Sequence, residues 1–427
     1  MNYISTKDKN ELVSFEEAVV KGLALNKALF MPERIPVLPR HFWEEIARYT
    51  DHEIAFEALF PFVKDSIDEP SLKKIIAETI SFPTPTVFVE ENIYSLELFH
   101  GPTKAFKDVG ARFMSRCLAH FVGKSDKKVT ILVATSGDTG SAVANGFYNV
   151  TGVDVVILFP KGKVSPYQEF QMTSLGGNIR AVEVDGVFDD CQALVKEAFS
   201  DIELNQRLNL SSANSINIAR LLPQMLYYFF AYKELKKKDK KIVFSVPSGN
   251  FGNLTAGIIA KKMGLPVQFI AATNSNDTFR HYMETGEYLP KASVSTYSNA
   301  MDVGAPSNFE RLMHLYDSDL KQIRRDIQAE SIDDAATLKE IEEVYKKSAY
   351  LLDPHGAVGI KSLRHRLKEG QIGVFLETAH PKKFEEVVQK AIPNYPKNEV
   401  DLGACKKECI GKEYIAFKTL LQERNNK

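Results

Sequence analysis

The stretch Ile242-Val243-Phe244-Ser245-Val246-Pro247-Ser248-Gly249-Asn250-Phe251-Gly252-Asn253-Leu254-Thr255-Ala256-Gly257-Ile258-Ile259-Ala260-Lys261-Lys262 decides how this chain is read. An apolar run of strand character leads through a glycine turn into a helix-like segment. The first N–H groups of a helix lack intrahelical acceptors and sit at the positive end of its dipole. Gly249-Asn250-Phe251-Gly252-Asn253 therefore has the construction of a phosphate cradle, with two glycines that let the backbone approach an anion closely. Glycine-rich turns between strand and helix are common in α/β proteins and many bind nothing, so the neighbouring segments carry the decision.

The same construction recurs twice. Residues 130–135 read as a buried strand, followed by Ser136-Gly137-Asp138-Thr139-Gly140-Ser141 and an apolar-patterned helix from Ala142. Residues 372–376 read as another strand, followed by Glu377-Thr378-Ala379-His380-Pro381. All three polar clusters come directly after a strand, which is where open α/β sheets bind ligands. The expectation is one ligand site spread across several strand ends.

The bulk properties fit that frame. At 427 residues the chain has room for about two to three domains. Its 44% hydrophobic and 26% charged content is that of a globular chain with large cores, which excludes the disordered classes. A net charge of −1 argues against a dedicated nucleic-acid or anionic-membrane surface, and Lys236-Lys237-Lys238-Asp239-Lys240-Lys241 reads as a solvated helix end. Cys117, Cys191, Cys405 and Cys409 have no metal-site spacing, so no metal is expected. The first residues lack a signal-peptide core and no run of 18 apolar residues occurs, so the expectation is a soluble, cytoplasmic protein.

Along the chain, residues 1–95 read as a mainly helical N-terminal domain, broken at Pro32, Pro36, Pro39, Pro61 and Pro70. Residues 96–235 alternate strands with helices, and residues 236–427 form a second, larger α/β unit. The fold expected is α/β, with two open twisted-sheet domains and a helical N-terminal part. Neither a repeat nor a low-complexity linker separates them.

The candidate chemistry centres on His100-Gly101-Pro102-Thr103-Lys104-Ala105-Phe106-Lys107-Asp108, which sets Lys107 just ahead of a helical stretch. A lysine taken out of water loses proton affinity and gains nucleophilicity, although a lone lysine is ordinarily a surface charge. Gly123-Lys124-Ser125 imitates the end of a nucleotide-binding P-loop, but the upstream glycine is replaced by Leu118.

At these motifs the chain resembles the threonine synthases of bacteria and fungi, pyridoxal-phosphate (PLP) enzymes of the tryptophan-synthase-β-like fold (fold type II). The anchors are residues 97–103, 105–108, 134–140, 212–220 and 247–253, in the family's order, within a match running from Tyr3 to about Phe384. The resemblance implies the cofactor pyridoxal 5'-phosphate, held covalently by Lys107, the catalytic lysine. Gly249, Asn250, Phe251, Gly252 and Asn253 would bind the cofactor phosphate. Thr378 would face the pyridine nitrogen and Asp138 the cofactor's O3′, where the wider fold usually carries Asn.

For the substrate, the resemblance implies that Ser136, Gly137 and Thr139 hold the α-carboxylate, while Asn214, Asn217 and Arg220 hold a phosphate. A planar guanidinium suits that dianion. The implied activity is conversion of O-phospho-L-homoserine and water to L-threonine and phosphate, by γ-elimination and β-addition. A sister phospho-lyase releasing 2-oxobutyrate would use the same Arg220. The partner implied is a small molecule, with no nucleic acid and no membrane. Monomer and homodimer both stay open.

Overall fold

A computed structural model describes residues 1–25, 27–123, 128–396, 403 and 405–423; Lys124 and Ser125 of the P-loop imitation lie outside the described residues. Fourteen strands occur among them. They are β1 (Tyr3–Ser5), β2 (Leu12–Val13), β3 (Phe30–Pro32), β4 (Thr86–Glu90), β5 (Ile93–Glu97), β6 (Val129–Ala134), β7 (Val153–Pro160), β8 (Ile179–Val184), β9 (Leu210–Ser212), β10 (Lys241–Pro247), β11 (Val267–Thr273), β12 (Ile327–Ser331), β13 (Gln371–Glu377) and β14 (Glu408–Ile410).

These strands build three sheets. A five-stranded sheet has the order β14-β8-β7-β6-β9 with every pair parallel. A six-stranded sheet has the order β12-β11-β10-β13-β5-β4, parallel except for the β4–β5 hairpin. The third sheet, β2-β1-β3, is small and antiparallel. The central strands read as continuous apolar runs because helices cover both their faces: Ile131, Leu132, Val133, Val155, Ile157, Phe244, Val246, Phe269 and Val374 are all buried.

The pairing cuts across the expected divisions at residues 95 and 235. Residues 86–97 form a hairpin whose two-residue turn, Glu91-Asn92, places Asn92 at φ 60°, and β5 then docks parallel to β13 in the six-stranded sheet. At the other end, β14 pairs with β8 and so returns to the five-stranded sheet. A three-residue strand gives too little pattern to be seen in sequence, and an edge partner is chosen by tertiary packing.

The first 80 residues are less purely helical than expected, since β1–β3 form a sheet there. Nor do the prolines all break helices. Pro39 is an N-cap, Pro70 lies in the first turn of the helix Glu69–Thr79, and Pro61 sits inside the helix Asp51–Val63. That helix buries Ile54, Ala55, Ala58, Leu59 and Phe62, which outweighs the one backbone donor lost at the proline.

The layout positions a site in one way. The helix Asp138–Phe147 follows β6, the helix Gly252–Lys262 follows β10, and the 3-10 turn Pro381–Phe384 follows β13. Their starts gather at strand C-terminal ends, the place where open parallel sheets bind ligands.

Candidate active site

Lys107 opens the helix Lys107–Val122, and the turn before it is tied to the end of β13. Phe106 N–H donates to Thr378 O at 2.8 Å, His380 N–H donates to Lys104 O at 3.1 Å, and Ala105 bridges Ala379. Asp108 accepts from both the N–H and the hydroxyl of Thr103, closing that turn. Thus the residue just before Lys107 is hydrogen-bonded to Thr378, which is distant in sequence.

Burial is the main cause that lowers the Lys107 amine to about 8; Asp138 opposes it, while Lys383 and Arg220 lower it further. The ammonium also lies 5.7 Å from the Phe106 ring centroid. A lysine in this state supplies free amine near neutral pH, as a nucleophile or proton carrier requires.

Asp138 begins its helix and is 4% exposed. It accepts from Gln168 Nε2 at 2.9 Å and pairs with Lys383 Nζ at 2.6 Å. Burial alone would raise its carboxyl, but the Lys383 and Lys107 ammoniums with these hydrogen bonds outweigh it and hold the group well below the usual carboxylate range. The preceding loop is fastened by Thr135 Oγ1, which accepts from Gly137 N–H at 3.0 Å and Gly140 N–H at 2.9 Å. Gly137 takes φ 137°, and a Cβ there would come within 2.5 Å of the Gln168 amide. Ser136 and Thr139 remain partly exposed beside it.

The 249–253 loop is built to present backbone. Phe251 adopts the left-handed conformation at φ 61° and the helix begins at Gly252 without a side-chain cap. A Cβ on Gly249 would meet Met301 Cα at 2.6 Å, and one on Gly252 would meet Ser215 Cβ at 3.3 Å. The Asn250 side chain is occupied within the protein: Nδ2 donates to Ser215 Oγ at 2.7 Å and Oδ1 accepts from Ser307 N–H at 2.6 Å. Asn253 accepts from the Tyr228 hydroxyl, yet its own Nδ2 is buried without an acceptor.

Asn214 and Arg220 approach the same region from the segment after β9. Asn214 Nδ2 donates to Ala134 O at 3.2 Å, at the end of β6. Arg220 is 3% exposed, its guanidinium bonds to Ala213 O, and its Nε has no acceptor. No carboxylate among the described residues forms an ion pair with it. Burial is what lowers Arg220 to about 10, against the pull of Tyr227 and Asp108. Asn217 differs from the expectation of a ligand donor. Its Nδ2 bonds to Val19 O at 2.9 Å and Ser212 O at 3.1 Å, and its Oδ1 caps Ala219 N–H at 3.0 Å. With both amide hydrogens on protein carbonyls, Asn217 shapes the turn and offers no donor to a ligand.

These features suit a doubly phosphorylated ligand set. Glycines that exclude side chains, an orphaned Asn253 donor, an unpaired buried guanidinium and an amine of lowered proton affinity together fit pyridoxal 5'-phosphate and a second anion.

The sequence reading missed several neighbours. Lys383, fully buried against Asp138, belongs to the turn after β13, but no pattern distinguishes a buried lysine from the exposed lysines beside it. Arg311 is wholly buried and donates to Phe30 O, Ser215 O, Ile216 O and Asn308 Oδ1. Asn308 in turn donates to Asn250 O at 2.9 Å and Ser215 Oγ at 3.3 Å, so these two residues fix the two candidate phosphate loops against one another. Beneath Thr378, Asp353 Oδ2 accepts from Ala379 N–H at 3.2 Å, and Asp353 Oδ1 lies 2.6 Å from His355 Nδ1. The next carboxyl, Glu377, is pushed far up by burial and by Asp353. Of these residues only Glu377 and Lys383 lie close in sequence to Thr378; Asn308, Arg311 and Asp353 are brought to it by the fold alone.

Known proteins share this fold and sequence. A pyridoxal-phosphate-dependent enzyme family model matches residues 79–377, a threonine synthase N-terminal model residues 2–80, and a threonine synthase C-terminal model residues 356–410. Threonine synthase from Escherichia coli (strain K12) is 47% identical over 391 residues, covering 91% of this chain and 90% of that one. Its crystal structure superposes with a TM-score of 0.93 over 99% of this chain and all of that chain, at 44% identity. The crystal structure of PLP-bound threonine synthase from Brucella melitensis gives a TM-score of 0.94 over the whole of both chains at 35% identity. On these matches the chain belongs to the threonine synthase family of pyridoxal-phosphate-dependent lyases, with pyridoxal 5'-phosphate as its cofactor and threonine synthase as its activity.

Proposed function

We propose that the protein converts O-phospho-L-homoserine and water to L-threonine and phosphate in the cytoplasm, with the roles of its residues divided as follows. The observation that carries this reading is Arg220, a buried guanidinium without a carboxylate partner and with an orphaned Nε, close enough to Lys107 to lower its proton affinity. A cation left in that state calls for an anion from outside the protein, and a phosphate dianion matches its fork.

Pyridoxal 5'-phosphate, when bound, supplies an electron sink for charge that develops on the substrate carbon chain. Gly249–Asn253 would hold the cofactor phosphate with backbone N–H groups, Thr378 would bond the pyridine nitrogen, and Asp138 would lie by O3′. Ser136, Gly137 and Thr139 would hold the substrate α-carboxylate at the start of the Asp138 helix, where partial positive charge favours it. Arg220 and Asn214 would hold the substrate phosphate, and Asn217 would keep their turn in shape.

Lys107 would then move protons at Cα, Cβ and Cγ. With its amine near 8, about one molecule in ten carries it uncharged at pH 7, so giving and taking a proton are both accessible. Phosphate leaves Cγ and the oxygen of water adds at Cβ. Binding the phosphate at Arg220 would orient the chain and exclude water until that addition.

The deciding experiment compares O-phosphohomoserine with homoserine in water enriched in heavy oxygen. Threonine carrying solvent oxygen on Cβ, formed only from the phosphorylated substrate, is expected. 2-Oxobutyrate as the main product would overturn the reading.

A further inference from the structure

Asp138 poses a charge problem that Lys107 does not solve. The carboxylate is buried, and the proposed attachment of pyridoxal phosphate joins the uncharged Lys107 nitrogen to the aldehyde carbon with loss of one water. That consumes the amine that would otherwise be its counter-ion. A buried carboxylate without a partner is costly, and it either takes up a proton or disrupts its surroundings.

A second ammonium stands ready. Lys383 Nζ is 2.6 Å from Asp138 Oδ1 and 2.9 Å from Thr103 O, and its side chain has no exposure to solvent. Its turn is fixed by His380 Nδ1, which accepts from Lys382 N–H at 3.1 Å, and by Pro381. Thr103 O also accepts from Gln171 Nε2 at 3.2 Å, and Gln168 of the same helix donates to Asp138. The charges that face Lys107 are therefore Asp138, Lys383 and Arg220, each from a different element.

We propose that Lys383 is a positioning residue for the family's reaction: it is the permanent counter-ion of Asp138, and it thereby keeps Lys107 free to exist as a neutral amine. The proposal rests on the site reading above, in which Lys107 carries the cofactor. Without Lys383, Asp138 would take Lys107 as its partner, and two effects would act in one direction. The repulsion of Lys383 on the Lys107 ammonium would be lost, and the attraction of Asp138 for it would strengthen.

The test follows capture of pyridoxal phosphate by the cofactor-free protein, by visible absorbance, as a function of pH. Capture requires the free amine, so its pH midpoint reports Lys107. In Lys383→Met the midpoint should rise by about 1–3 units, with capture at pH 7 slowed about tenfold for each unit. In Lys383→Met/Asp138→Asn, where both opposing charges are gone, it should return to within about half a unit of the parent. A purely structural lysine would give no such return. An unmoved midpoint in the single variant, or a double variant no better than the single, would overturn the proposal. If Lys383→Met is insoluble the double variant decides: a folded one supports the pairing and an insoluble one refutes it. Borohydride reduction and peptide mapping of the parent separate the two layers. Label on another lysine removes the site reading itself, whereas label on Lys107 with an unmoved midpoint removes only the role of Lys383.

Discussion

Lys107 and Arg220 are neighbouring cations held out of water, and each titrates below its ordinary value chiefly because of burial. For Lys107 the linkage has a definite sign. Its folded value, about 8, lies below the ordinary lysine value of 10.5, so between those limits the unfolded chain binds more protons and stability rises with pH. Denaturant melts of the cofactor-free protein from pH 7.5 to 10 should therefore show a positive contribution to the slope that disappears in Lys107→Met. An unchanged slope would mean that the amine is solvated. Arg220→Ala makes a different prediction, because the proposed reading gives Arg220 to the substrate and not to the cofactor. It should leave the bound cofactor's absorbance intact and weaken use of the phosphorylated substrate by about 2–5 kcal/mol, the scale for truncating one partner of a buried charge pair. Purification of Arg220→Ala without cofactor would place that guanidinium on the wrong phosphate.

The strand-turn-helix at residues 241–262 shows what an element decides. Both glycines of its turn would make room for an anion in the proposed reading, but their surroundings differ. The Cβ of Gly249→Ala would overlap backbone at Met301, which cannot move without shifting the 299–301 turn, whereas that of Gly252→Ala would press only 3.3 Å from Ser215 Cβ. Gly249→Ala should therefore lose cofactor more severely than Gly252→Ala, read as cofactor retained after gel filtration; the reverse order would refute the packing argument. This element was legible in the sequence because the apolar run, the glycines and the helix pattern are contiguous, as they are after β6; after β13 only the apolar run and a polar cluster mark the place. The β4–β5 hairpin was not read as a partner of β13, since its pairing joins residues 93–97 to residues 373–377. Lys383 and Arg311 were invisible for a related reason: long cations become interior only when several distant backbone carbonyls converge on them, as Phe30 O, Ser215 O and Ile216 O do on Arg311. The bonds of Asn217 within the protein were not legible either, because the acceptor of its Nδ2, Val19 O, lies about two hundred residues away in the chain.

On the scale of the whole molecule, the end of the described chain crosses back to the five-stranded sheet and reaches the candidate site through one intermediary. β14 covers the edge of β8, Arg180 forks onto Glu408, and the helix Tyr414–Glu423 buries Phe417, Leu420 and Leu421 in the cluster that holds Leu132, Val156, Val182 and Leu194. Beside them Lys406 N–H donates to Thr173 O at 2.9 Å and Lys407 pairs with Glu169 at 2.7 Å, both on the helix Pro166–Thr173. That helix carries Gln168, bonded to Asp138, and Gln171, bonded to Thr103. The partly exposed ion pairs contribute little, about 0–1 kcal/mol each. Burial of three large apolar side chains contributes about 1.5–3 kcal/mol apiece, so apolar packing is what attaches the strap. A chain ended at residue 396 should melt well below the parent and expose an unpaired β8 edge prone to association. Because the helix over Asp138 loses its outer support, the truncated protein should also hold pyridoxal phosphate less tightly. Phe417→Ala in the full chain separates the two effects: it should cost about 3–5 kcal/mol of stability by opening a cavity while β14 stays in place, and cofactor affinity should change far less. Equal loss of cofactor in both variants would show that the strap acts only through global stability, and a truncated chain with parental melting would show that the five-stranded sheet needs no partner at β8.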